Sequence, residues 1–268
     1  MSAPSLATRA IDLVASEWTK FRSVRSTFWA LLVAAVTPVA VSTVVAFAFV
    51  SANQHGAPKS GAARSAPPPD PLLPAVISLE YAVIAVTVLG VLAFTAEYST
   101  GLIRVTFAAA PRRRAVLAAK AAVLAAVTLA VGEGVAFASF GLDQAILAGH
   151  HQGVSLGHPG VPGAVLCAGL LLSVCTLLGL ALGAIVRHTA GGIAATIAVI
   201  LIPGSVALLP SPWSGRIGRF TLLDAARQVS ALHPAADLFS PGWSLLVLLA
   251  WPAAALAVAA ILITRRDA

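Results

Sequence analysis

The sequence predicts an all-α membrane protein: six transmembrane helices with both termini in the cytoplasm, preceded by an amphipathic helix lying in the inner interface. Three observations predict it. Of the 268 residues 59% are hydrophobic and 10% charged, with a mean hydropathy of +0.92, whereas ordinary soluble domains carry about a quarter charged residues. Six apolar stretches reach the length of about 20 residues that a helix needs to cross hydrocarbon. Lys and Arg gather in the breaks between those stretches, where they set orientation. Because the apolar stretches run from Trp29 to Ile263, the chain reads as one membrane domain with no soluble catalytic domain left over.

The first element is a helix within residues 1–28. Ile11, Val14, Trp18, Phe21 and Phe28 recur at helical spacing, while Arg9, Asp12, Glu17, Lys20 and Arg22 take other positions. That pattern describes a helix lying in an interface, with Trp18, Lys20, Phe21 and Arg22 as its anchors and an elbow near Ser26-Thr27. The segment is expected to remain as an uncleaved anchor, because it is charged throughout and the apolar run after it exceeds the roughly 7–15 residues of a signal core.

The membrane domain is expected over 29–268, with spans near 29–50, 75–96, 115–139, 162–186, 191–209 and 243–263. Breakers separate them, among them Pro67-Pro68-Pro69, Gly157-His158-Pro159-Gly160 and Pro210-Ser211-Pro212. With the N-terminus inside, twelve Lys and Arg fall on the cytoplasmic side (Arg9, Lys20, Arg22, Arg25, Arg104, Arg112, Arg113, Arg114, Lys120, Arg187, Arg265, Arg266) and five outside (Lys59, Arg64, Arg216, Arg219, Arg227). The bias places both termini inside. The loop expected around Asp143 has no Lys or Arg, as an external loop should.

Residues 97–114 form a cytoplasmic segment between the second and third spans, reading EYSTGLIRVTFAAAPRRR. Arg112, Arg113 and Arg114 are explained by orientation alone. Residues 203–242 form an external segment in which Ile217, Phe220, Leu222, Leu223, Val229 and Leu232 accompany Arg216, Arg219, Asp224 and Arg227; it reads either as short helices in the outer interface or as a plain loop. The break at Arg187-His188-Thr189 is so short that spans four and five must form a tight hairpin.

The formal charge of +7 does not point to nucleic acid, because the basic residues sit where lipid headgroups are met. No G-x-x-x-x-G-K-[ST] loop occurs, so the chain should not hydrolyse ATP by itself. No H-E-x-x-H pair occurs either. His150, His151 and His158 cluster in a glycine-rich external loop but have only Asp143 as a nearby acid, and no metal is expected. Cys167 and Cys175 lie about 12 Å apart along one helix, beyond the reach of an intramolecular disulfide. Glu80 and Glu133 are the acids within spans, a possible intramembrane polar site; both should sit near the outer interface, where carboxylates reach external water. Gly179 and Gly183 form a GxxxG, which permits close helix approach.

Taken together, SEWTKFRSVRSTFW at the N-terminus, EYSTGLIRVTFAAAPRRRAVLAAK, six spans and the final ITRRDA resemble the ABC-2-type ABC transporter permeases, especially the compact actinobacterial ones. The resemblance covers nearly the whole chain. It implies a permease subunit in a bacterial plasma (inner) membrane that pairs with a second permease copy and recruits two copies of an ABC ATPase subunit. ATP and Mg would be held by that ATPase; this chain would bind no cofactor and be no enzyme. Arg9 to Thr27 would match the connecting helix and Glu97 to Arg114 the coupling segment, with Glu97, Tyr98, Thr100, Gly101 and Arg104 facing the ATPase and Leu102, Ile103, Val105 and Phe107 facing the bundle. The expected activity is export of a hydrophobic or amphipathic substrate. The other reading is a non-transporting membrane anchor or sensor subunit of the same architecture.

Overall fold

The computed structural model describes residues 6–54, 70–102, 113–201, 213–235 and 238–265, which fold into helices with no strand among them. In chain order these are α1 (Leu6–Ser23), α2 (Arg25–Gln54), α3 (Leu73–Ser99), α4 (Arg113–Ala148), α5 (Val161–Val186), α6 (Thr189–Leu201), α7 (Trp213–Gly218), α8 (Leu222–Ser230) and α9 (Pro241–Arg265).

Five of them, α2, α3, α4, α5 and α9, are long and apolar enough to cross a bilayer. The helix expected over 191–209 begins as α6, whose 13 described residues would rise about 20 Å. Residues 202–209 of that span lie outside the described residues. At 36 residues, α4 would reach about 54 Å, well beyond the roughly 30 Å of hydrocarbon. It therefore absorbs Arg113 and Arg114 at one end and Asp143 at the other. Asp143 is in a helix, not in a loop, because the apolar run of α4 continues through Phe137, Phe140, Leu142, Ile146 and Leu147 with no proline, and only the single glycine Gly141, before Gly149.

The helix ends follow local chemistry. A single residue, Val24, separates α1 from α2, and the Thr27 N–H donates back to its carbonyl at 3.1 Å; the elbow thus comes earlier than Ser26-Thr27. Pro74 stands in the first turn of α3, where its missing N–H costs nothing. Asp70, just ahead of it, accepts from the Leu72 N–H at 2.9 Å and from the Leu232 and His233 N–H groups at 2.7 and 3.1 Å. That one carboxylate pins the segment after α8 onto the start of α3. Thr221 caps α8 by accepting from the Asp224 N–H at 3.2 Å. Arg187 closes α5 in the left-handed region at φ 59° and donates its N–H to the Gly183 carbonyl at 2.8 Å, which turns the chain straight into α6.

At the centre lies α5, packed by α3, α4, α6, α8 and α9. In lipid, helices gain little from hydrophobic expulsion and hold together by close packing. Small residues provide it here: a Cβ on Gly90 would stand 2.1 Å from the Thr176 carbonyl oxygen, and one on Gly179 would stand 2.5 Å from that of Thr87. The Gly179–Gly183 stripe therefore packs α5 against α3 of the same chain. Around this seam Leu79, Val86, Leu172, Cys175 and Leu178 form one core, and Phe94, Leu124, Leu180, Ala259 and Ile263 a second. By contrast α2 and α9 leave apolar faces open, with Val33, Val36, Val44 and Phe47 on one and Leu246, Leu249, Val258 and Ile261 on the other.

Candidate functional site

Four charged side chains from three helices meet where α1 crosses the end of α3 and the start of α4. Glu17 and Lys20 stand one turn apart on α1, Glu97 occupies the last turn of α3, and Lys120 the second turn of α4. Lys120 Nζ donates to Glu17 Oε2 at 2.5 Å and to Glu97 Oε1 at 2.9 Å. Lys20 Nζ donates to Glu17 Oε1 at 2.7 Å and to Glu97 Oε1 at 3.2 Å. Glu17, Lys120 and Glu97 are only 4%, 6% and 8% exposed, so the pairing takes place away from water. Isolated buried ions are costly; two acids against two lysines make the cluster neutral. The Lys20 ammonium is pulled down by partial burial, but its hydrogen bond to Glu17 and the charges of Glu17 and Glu97 outweigh that and leave it above its ordinary value.

Beside the cluster opens a cavity of about 360 Å³. Its polar wall carries Glu17, Lys20, Glu97, Lys120 and Thr100, and its apolar wall Phe21, Leu89, Leu92, Val123 and Leu124. Glu97 Oε2 is buried without a hydrogen-bond partner.

The residues read as facing a partner fall into two groups. Glu97 is engaged in the cluster, and Tyr98 turns inward: its ring lies 5.4 Å from that of Phe94 and 5.2 Å from the Arg187 guanidinium carbon. Tyr98 thereby ties the end of α3 to the α5–α6 turn, helped by the Thr189 hydroxyl donating to that of Thr95 at 3.0 Å. Thr100 and Gly101 are exposed just beyond α3, where Gly101 takes φ 73° and donates its N–H to the Tyr98 carbonyl at 3.2 Å. Arg104, Ile103, Val105 and Phe107 lie outside the described residues. Arg113, at the start of α4, donates to the Ile263 carbonyl at 3.3 Å and so joins α4 to the end of α9.

On α1, Ile11, Val14 and Trp18 are exposed, and Arg22 is exposed beside them. Phe21 stacks on Trp18 at 6.1 Å and packs against the core around Phe94 and Leu124, so one of the expected interfacial anchors is a core contact.

The acids within spans have different surroundings. Glu80 makes a two-pronged ion pair with Arg227 of α8, at 2.5 and 2.7 Å, rather than standing alone in water. That hydrogen bond, stronger in effect than the burial opposing it, raises Arg227 above the ordinary arginine value. A second cavity of about 400 Å³ adjoins the pair, lined by Tyr81, Ile84, Ile197, Leu201 and Leu223. Glu133 keeps one carboxylate oxygen buried and unpartnered, and it packs so close to Gly169 that a Cβ there would stand 2.8 Å from its carboxyl carbon.

Three features escaped the sequence reading. Glu17 looked like one charge among several on a solvated face, and only its partner on α4 reveals it as buried. Asp143 is fully buried, neither of its oxygens has a hydrogen-bond partner, and Ser42 of α2 faces it; its place on the same helical face as Ser139 was the available signal. Gly153-Val154-Ser155-Leu156-Gly157 spells G-x-S-x-G, a pattern whose chemistry needs a strand-to-helix elbow. Here it lies in the turns between α4 and α5, with Ser155 exposed. The nearby His150, His151 and His158 join no metal-sized group of ligands among the described residues.

Neither a protein-family model nor any curated protein matches the sequence.

Proposed function

We propose that the chain is the transmembrane permease subunit of an ATP-driven exporter of the ABC-2 type, with both termini cytoplasmic, in a bacterial plasma membrane. Two copies would pair and recruit two ABC ATPase subunits, which hold ATP and Mg and carry out the hydrolysis. One observation carries the reading: the buried Glu17–Lys120–Glu97–Lys20 cluster binds α1 to the ends of the two long helices that flank residues 100–112. Force applied to that connection reaches α1, α3 and α4 together, because separating them would expose unpaired ions to a medium of low dielectric. Exposed Thr100 and Gly101, with Arg104 beyond them, form the part that meets the ATPase. Glu97 and Tyr98 transmit from behind it. The cavity lined by Tyr81, Ile84, Ile197 and Leu201 lies along the route of a hydrophobic or amphipathic substrate.

The test is co-expression with the ABC ATPases of the same genome, followed by purification in mild detergent and transport in proteoliposomes. A complex of two chains with two ATPases, showing ATP-dependent transport that Arg104→Glu abolishes, is the expected outcome. Purification without any ATPase would favour the anchor or sensor reading. An Arg104→Glu complex that still assembles and transports would remove the docking contact.

A further inference from the structure

The cavity between α1, α2, α3 and α4 is not required by a coupling role. It is walled by Phe21 and Val24 at the elbow, Thr27 and Ala30 on α2, Leu89, Leu92 and Ala96 on α3, and Leu124 on α4. A cavity of about 360 Å³ falls within the roughly 300–1,000 Å³ of small-molecule sites. Its surface is mostly apolar with charge at one end, which is the shape of an amphiphile. Left unfilled, walls of this kind forfeit the contacts that packed helices depend on.

The sign of the head follows from which charges are reachable. Glu17 gives both oxygens to lysines and Glu97 gives one, its other oxygen lying buried without a partner, whereas the Lys20 side chain is 42% exposed. An ammonium has three protons, and Lys20 uses two, on Glu17 and Glu97. Arg22 and Arg25 stand exposed on the same short stretch. A head entering from the elbow therefore meets cations first.

We propose that this cavity binds an acyl chain carrying an anionic head, with the head on Lys20 and the chain against Leu89, Leu92 and Leu124. The site rests on the membrane character of the chain and not on the exporter reading. The same chemistry comes from a free fatty acid or from one chain of an anionic phospholipid.

Native mass spectrometry of the full-length protein, released from a neutral detergent, reads occupancy directly. The probes are oleate and phosphatidylglycerol, with oleyl alcohol and diacylglycerol as their uncharged counterparts. The expected result is one retained anionic amphiphile per chain, loss of retention in Ala96→Phe, which fills the cavity from an exposed wall position, and about tenfold weaker retention in Lys20→Gln, the equivalent of one charge-assisted hydrogen bond. Val258→Phe on the open face of α9 adds the same bulk elsewhere and should retain the probe like the parent. Retention of oleate alone assigns the site to free amphiphiles, and retention of both assigns it to bilayer lipid. If Ala96→Phe does not fold, Ala30→Phe on the opposite wall makes the same test. Equal retention by the filled variant and the parent, or of oleyl alcohol and oleate, overturns the proposal.

Discussion

Lys120 shows how one residue can change meaning between sequence and fold. In the sequence it is one of twelve cytoplasmic charges that set orientation; in the structure it is 6% exposed and bonded to acids from two other helices. Removing it leaves two carboxylates sharing the single Lys20. Lys120→Met should therefore lower stability by about 3–5 kcal/mol, the usual cost of breaking a buried ion pair from one side, measured by denaturant titration in micelles. The Glu17→Gln/Lys120→Gln double variant should lose less than the two single changes added together, because neither partner is then left charged and alone. Strict additivity would mean that the two residues do not interact. The Glu80–Arg227 pair behaves differently. Arg227 is half-exposed, so Arg227→Gln should cost only about 1 kcal/mol or less, and Glu80→Gln about the same. A loss of several kcal/mol in either would show that the pair is shielded from water, for instance by a second copy of the chain.

At the scale of elements, five of the six expected apolar spans were legible because length and hydropathy alone define them. Their ends were not. Hydropathy falls at Arg112-Arg113-Arg114, yet α4 starts at Arg113, and after Ser139 only the lone Gly141, too little to end a helix, stands before Gly149. Helix partners were also hidden, since Gly179 and Gly183 advertise a close approach without saying to what. The structure answers with Thr87 and Val91 on α3, beside which Gly90 packs on Thr176, and this yields a comparison between glycines. Gly90→Ala drives a methyl group to within 2.1 Å of a backbone oxygen and should cost about 1–3 kcal/mol or more, as overpacking does. Gly134→Ala on α4 meets nothing within 4 Å and should be neutral or stabilising by up to about 1 kcal/mol. Thermal unfolding of the two variants in the same detergent ranks them; equal midpoints would mean that α3 and α5 are not packed as described.

For the whole molecule, charge bias and helix alternation make the same statement about sidedness. Contacts gather the ends of the elements into one pole: Glu97 of α3 meets Lys120 of α4, Tyr98 meets Arg187 at the end of α5, Thr95 meets Thr189 at the start of α6, and Arg113 meets Ile263 near the end of α9. Lys20, Arg22, Arg25, Arg113, Arg114, Arg187 and Arg265 all belong to that pole. Asp70, Glu80, Arg227 and the turns around Ser155 belong to the other. The proposed orientation puts the first pole in the cytoplasm, as the excess of Lys and Arg demands. Single cysteines at Thr100 and Ser155, both exposed, test this in a background with Cys167 and Cys175 replaced by Ala. In intact cells a membrane-impermeant maleimide should label Ser155→Cys and leave Thr100→Cys untouched until the membrane is permeabilised. The reverse pattern would invert the protein and remove the cytoplasmic contact with an ATPase. Labelling of both from outside would mean that α4, the helix between them, does not cross.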